Sequence, residues 1–132
     1  MSTPNLELAR RFVHAVEQGA TGETLRPFLD AALSQHEYPN RLFPKGVQRD
    51  MQALLESSEK GRKVLSSQRY EIRGAVASGD QVALEIDWTG TLAVPLGTLK
   101  PGDTLHAMIG QFFTFREGRI VSLRNYDCYD PF

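Results

Sequence analysis

Apolar residues recur at different periods in the two halves of this chain, and that change predicts its architecture. In "LARRFVHAVEQG", Ala9, Phe12, Val13 and Val16 follow the i, i+3, i+4, i+7 spacing of one helix face. Arg10, Arg11, Glu17 and Gln18 fill the rest of the turn. Thr3 before Pro4 reads as a cap with a first-turn proline, and Gly19 as a stop. "TGETLRPFLDAAL" predicts a short second helix whose stripe is Leu25, Phe28 and Leu29, with Pro27 near its start. "SQHEYPNRLFPKG" breaks the pattern and reads as a loop, with room for a short strand before Pro39. Val47, Met51, Leu54, Leu55 and Ser58 then predict a third helix ending near Gly61.

From Arg69 onward the period is two. Tyr70, Ile72, Gly74 and Val76 alternate with Arg69, Glu71, Arg73 and Ala75. "SGDQ" is a hairpin signal, after which Val82, Leu84, Ile86 and Trp88 alternate with Ala83, Glu85, Asp87 and Thr89. "VPLGTLKPGD" is a longer connection, "TLHAMIGQFFTF" a strand apolar on both faces, and "RIVSLRNYDCY" the last strand. Helices followed by a run of strands predict an α+β class, with helices on one face of an antiparallel sheet. A strand apolar on both faces has both covered, and a partner subunit is the simplest cover for the second.

The polar exceptions to this pattern are the informative residues. On the odd row of 104–115, Gln111 is the one polar member beside Leu105, Ala107, Ile109, Phe113 and Phe115. On the odd row of the last strand, Asn125 and Asp127 follow Val121 and Leu123. Two readings stand for Asn125 and Asp127: a strand end fraying into water, or the wall of a pocket. Gln111 in turn reads either as a satisfied core amide or as part of that wall. Their coincidence on neighbouring strands favours a small-molecule pocket, a few polar groups in an apolar cup. Glu37 in "HEYPN" reads either as a solvated loop acid or as a carboxylate at the pocket rim.

Composition narrows the classes. The 132 residues fit one domain spanning 1–132. Lys and Arg total 15 against 16 Asp and Glu, a balance that offers nucleic acid no basic face. The single Cys128 excludes an internal disulfide and suits a reducing interior; it reads as a small, semi-buried residue. "MSTPNLELARRF" has no signal-peptide pattern, and no apolar run approaches the ~20 residues of a membrane span. The expectation is a cytoplasmic protein with no membrane partner. His14, His36 and His106 are scattered and form no i, i+4 ligand pair, so no metal site is expected. Serine-nucleophile and nucleotide motifs are absent.

The three predicted helices, the acid-bearing proline loop "HEYPNRLFPKG" and the strand array ending in "GRIVSLRNYDCYDP" resemble the SnoaL-like polyketide cyclases. That family lies within the nuclear-transport-factor-2-like superfamily, which also holds the ketosteroid isomerases. The resemblance implies a cone-shaped α+β barrel, with a curved antiparallel or mixed sheet wrapped around the helices and enclosing a deep apolar pocket. It also implies a homodimer formed through the outer sheet face, where Met108 and Phe112 stand.

Site residues carry over from the resemblance one at a time. Asp127 matches the cyclase general base, and Gln111, sixteen residues earlier, matches a substrate-holding Gln. A cyclase His is replaced by Phe113. The isomerase oxyanion Asp falls at Gln111, its helix Tyr at Phe12, and its base at Tyr38, with Glu37 beside it. Trp88 and Ile86 match a pocket-wall strand. The expected lining is thus Phe12, Tyr38, Ile86, Trp88, Ile109, Phe113, Leu123 and Asn125 around Asp127, Gln111 and Glu37.

A carboxylate in an apolar cup loses hydration, its pKa rises, and it becomes a useful base towards a weakly acidic C–H. The enolate then needs a donor, which Gln111 can supply. Two functions follow. One is cofactor-independent isomerisation or cyclisation of an apolar carbonyl compound, begun by Asp127 or Glu37. The other is non-catalytic binding of a hydrophobic ligand, which the loss of the cyclase His and isomerase Tyr favours. A dimeric scaffold with a collapsed pocket is a third.

Overall fold

The structure, a computed structural model, describes residues 3–132. Met1 and Ser2, part of the stretch read for a signal peptide, lie outside the described residues. Helix α1 spans Pro4–Glu17. The Thr3 hydroxyl accepts from the Leu6 N–H at 3.1 Å, and Pro4 occupies the first turn, where its missing N–H costs nothing. Ala9, Phe12 and Val13 are its buried face. Gly19, at φ +91°, turns the chain away.

The predicted second helix is not one. Gly22–Thr24 and Arg26–Phe28 are two short 3₁₀ turns, and strand β1 runs from Leu29 to Glu37. Leu29 and Leu33 are both buried. Residues four apart share a face at period 3.6 and at period 2, so their spacing suits either element. Partners elsewhere in the chain decide for the strand. Val47, assigned to the third helix, lies in a three-residue strand β2, Val47–Arg49, paired antiparallel with β1. The Asp50 carboxylate accepts from the Ala53 N–H at 2.9 Å and starts helix α2 at Met51; α2 runs on through Gly61 to Val64.

Strands β3 (Leu65–Ser78), β4 (Gln81–Leu92), β5 (Thr104–Arg116) and β6 (Arg119–Tyr129) complete one six-stranded sheet ordered β2-β1-β6-β5-β4-β3. All pairs are antiparallel except β1 with β6, which is parallel. The sheet is mixed and curved and does not close; β2 and β3 are its edges. The inner rows read from alternation are observed in β4, in β5 and, from Leu123 onward, in β6; at the start of β6 the pairing with β5 shifts, and Ile120 rather than Val121 is buried. In β3 the alternation slips, because the pairing shifts between Ile72 and Gly74. One extra residue flips every side chain after it. Val76 therefore faces out at 69% exposure, while Ala75 and Ala77 pack on the core.

Helices α1 and α2 cover the inner face. Phe113 is 0% exposed, with the rings of Phe12 and Phe115 at 6.2 and 6.0 Å. Phe113→Ala is expected to destabilise the fold by about 3–5 kcal/mol, read as a lower urea midpoint at unchanged slope.

On the outer face, Cys128 is exposed, not semi-buried as predicted. His106 Nε2 lies 2.7 Å from Asp87 Oδ1 and its Nδ1 2.9 Å from Asp130 Oδ2. These bonds, Asp87's first, hold its imidazole above the usual midpoint. Among the described residues, no group of three or more His, Cys, Asp or Glu side chains is placed to hold a metal, and no helix is long and apolar enough to cross a membrane.

Candidate functional site

A cavity of about 590 Å³ lies between the C-terminal half of α1, α2 and the sheet. Phe12, Leu25, Leu54, Leu65 and Leu123 supply apolar wall. Glu17, Gln35, Glu37, Arg49, Gln68, Tyr70, Gln111 and Asn125 also line it, so the cup is mixed in character.

Its polar floor is built by sheet register. Gln111 on β5 stands opposite Asn125 on β6. Asn125 is paired on its other side with Glu37 of β1, through the parallel contact. Gln35 of β1 is paired with Arg49 of β2. Partners in register share a face, so side chains from four strands meet on one surface.

Arg49 Nη1 donates to Glu37 Oε1 at 3.0 Å and to Gln35 Oε1 at 3.2 Å. The Asn40 amide donates to Glu37 Oε2 at 2.9 Å. The Arg49 and Glu37 side chains are 9% and 12% exposed, so this ion pair is shielded from water. Glu37 is thereby placed inward. Tyr38 points the other way: its ring stacks on Tyr126 and His36 at 4.5 and 4.0 Å, on the outer face. The expected lining role of Tyr38 is thus corrected, because adjacent strand residues take opposite faces.

Gln111 is 6% exposed, and its Oε1 is buried without a hydrogen-bond partner among the described residues; so are Asn125 Oδ1 and Asp127 Oδ1. Unpaired polar atoms are costly in a closed core; those of Gln111 and Asn125 lie on the cavity floor, where a ligand could complete them, and that of Asp127 lies beside it. Asp127 follows Asn125 on the inner row, opposite Ile109, just beyond the cavity lining. Its carboxyl is pushed up to about 6. Burial is the main cause and the Glu37 charge the second; the Asn125 amide and Arg49 charge pull the other way.

Of the expected lining residues, Phe12, Leu123, Asn125, Gln111 and Glu37 do line the cavity. Ile86, Trp88, Ile109 and Phe113 do not; they are buried in the packed core beneath it. They share the inner rows, but the helices cover that part of the sheet. Gln35, Arg49, Gln68 and Tyr70 were missed. For Arg49 the only signal was a charge on an apparent helix face. Gln68 lies just ahead of the stretch whose alternation begins at Arg69, and Tyr70 belongs to that stretch's apolar row, where nothing marks it as a site residue.

The fold is shared with solved structures. AclR of Streptomyces galilaeus, a candidate hydroxylase, superposes with a TM-score of 0.79 at 17% identity over 96% of this chain and 80% of that one. IdmH of Streptomyces antibioticus, a candidate polyketide cyclase, gives 0.78 at 21% identity over 96% and 92%. TerC, co-crystallised with polyporic acid, gives 0.73 at 16% identity over 97% and 92%. No curated protein matches the sequence. The model of the SnoaL-like domain matches residues 9–123, which with the curved sheet and helix-covered cavity makes this chain a member of the SnoaL-like domain family.

Proposed function

We propose that the protein acts on an apolar, carbonyl-bearing small molecule by taking a proton from the carbon next to the carbonyl. The observation that carries this reading is Asp127, a buried carboxyl pushed up to about 6, two residues past Asn125 on the inner row of β6, with Gln111 opposite Asn125 on β5. A base is most useful when its pKa lies near working pH. The C–H bond breaks, the proton moves to Asp127, and the electron pair settles on the carbonyl oxygen, where the Gln111 amide donates. Return of the proton to another carbon isomerises the compound; attack of the enolate on a second carbonyl cyclises it. Glu37, held in place by Arg49 and Asn40, stands beside Asn125, which orients the ligand. The proton transfer calls for no cofactor. TerC with polyporic acid supports a small organic ligand in such a cup.

The test is exchange in D₂O. With 2-tetralone as probe, the protein is expected to speed deuterium incorporation at the α-carbon, followed by NMR. Binding without exchange overturns catalysis in favour of a non-catalytic module for hydrophobic ligands.

The outer sheet face supports a homodimer. Val76, Met108, Phe112 and Tyr126 are exposed there, around a groove of about 530 Å³. Exposed apolar groups that adjoin one another mark an interaction surface. Phe112→Glu is expected to give a folded monomer by sedimentation where the parent is a dimer; an unchanged mass overturns the interface. A reducing cytoplasm suits the exposed Cys128.

A further inference from the structure

We infer that Tyr70 is a second hydrogen-bond donor of the cavity, giving its phenol O–H to the oxygen of the bound carbonyl compound. This rests on the proton-abstraction reading above and supplies what that reading lacks. Phe12, which α1 brings to the cavity wall, has no hydroxyl, so without Tyr70 the Gln111 amide alone would carry the developing charge.

Four observations converge on Tyr70. It lines the same cavity as Gln111 and Asn125, and comes from β3, two strands from β5. Its half-buried side chain faces the Trp88 indole N–H, which can only donate to the phenol oxygen and so leaves the phenol O–H itself to give. Its ring is fixed: it meets the Trp88 ring edge-on at 6.5 Å, and Trp88 Nε1 donates to Gln68 Oε1 at 3.1 Å. Its backbone is fixed too, since the Tyr70 N–H donates to Glu17 Oε2 at 2.7 Å and Gln68 Nε2 to the Val16 carbonyl at 3.0 Å. A phenol held by ring and backbone with its O–H unused is a preorganised donor, the kind most effective at a developing oxyanion.

The electrostatics agree with donation. Burial pushes the phenol up, and the charges of Asp127 and Glu17 add to that. Tyr70 therefore keeps its proton throughout the range in which Asp127 titrates. The division of labour is plain. Asp127 receives the α-proton, the electron pair moves to the ligand oxygen, and Tyr70 and Gln111 stabilise it without themselves being deprotonated. When the enolate collapses, Asp127 returns the proton.

The experiment compares the parent with Tyr70→Phe, which removes only the hydroxyl. The Trp88 indole N–H keeps its bond to Gln68 Oε1 in this variant, so the melting temperature is expected to stay close to the parent's. Exchange into 2-tetralone is expected to fall about 10²-fold in kcat with little change in KM. In parallel, binding of 1-naphthol and of more acidic nitro-naphthols, neutral and anionic mimics of the enol, is read by fluorescence or absorbance. In the parent, affinity rises with naphthol acidity; in Tyr70→Phe this slope flattens. Exchange and slope within twofold of the parent overturn the role of Tyr70 and leave proton abstraction intact. A parent without exchange, but with a naphthol slope that needs Tyr70, overturns abstraction and keeps the donor. A parent with neither overturns both.

Discussion

Asp127→Asn is expected to lower the α-proton exchange rate by about 10²–10⁴-fold, the usual contribution of a positioned base. It is also expected to stabilise the protein at neutral pH. The sign follows from the direction of the shift. The folded state raises the Asp127 pKa from 3.8 to about 6, so folding favours the protonated acid. That stability is complete below pH 4 and is lost as pH rises through 6, a cost of about 3 kcal/mol above both values. Asparagine keeps the shape and carries no charge, so the variant gains about 1–3 kcal/mol at pH 7, and the two proteins converge at pH 4. Melting temperature against pH for both proteins checks this. Equal curves would mean that Asp127 is not buried as described. Activity runs the opposite way: exchange in the parent rises with pH through about 6, because only the carboxylate accepts a proton. Glu37→Gln removes the second cause of the shift and is expected to move that midpoint down. A group that destabilises the fold while enabling chemistry is a common bargain at working sites.

Arg49→Met is expected to cost about 3–5 kcal/mol, because it leaves the Glu37 carboxylate in a shielded place without its cation. The cost belongs to the unpaired charge, not to the pair. Arg49→Met with Glu37→Leu is therefore expected to recover most of the loss. Urea denaturation of the two single variants and the double closes the cycle. Additive losses would show that the pair is not coupled. The same variants read the site: Arg49 opposes the Asp127 shift, so Arg49→Met also moves the exchange midpoint upward.

The second half of the chain was legible because β4, β5 and the C-terminal part of β6, from Leu123, keep a period of two. Each has one face against the helices, and burial of that face selects the residues that can stand there. Gln111, Asn125 and Asp127 stood out for that reason, as polar residues on rows otherwise apolar. The first half was less legible. Leu29 and Leu33 fit a helix or a strand equally, and Val47 fits the end of α2 or an edge strand. The bulge after Ile72 carries no sequence mark beyond Gly74, so simple alternation keeps Val76 on the row of Tyr70 and Ile72, whereas the fold turns it outward.

The candidate site shows the same division. Local alternation determined the inner rows of β4, β5 and the end of β6, hence Asp127 and Gln111, and the shift of period determined an α+β class. Only the tertiary structure decided that β1 lies parallel to β6. That contact joins residues about ninety positions apart, and its register, Glu37 beside Asn125, depends on how the whole sheet curves around the helices. It turned Glu37 inward and Tyr38 outward, brought Arg49 to Glu37, and let Glu37 raise Asp127. A spacing rule reads the neighbours of a residue along one element. The charge at Asp127 is set by neighbours across three strands, which the chain reaches only by folding.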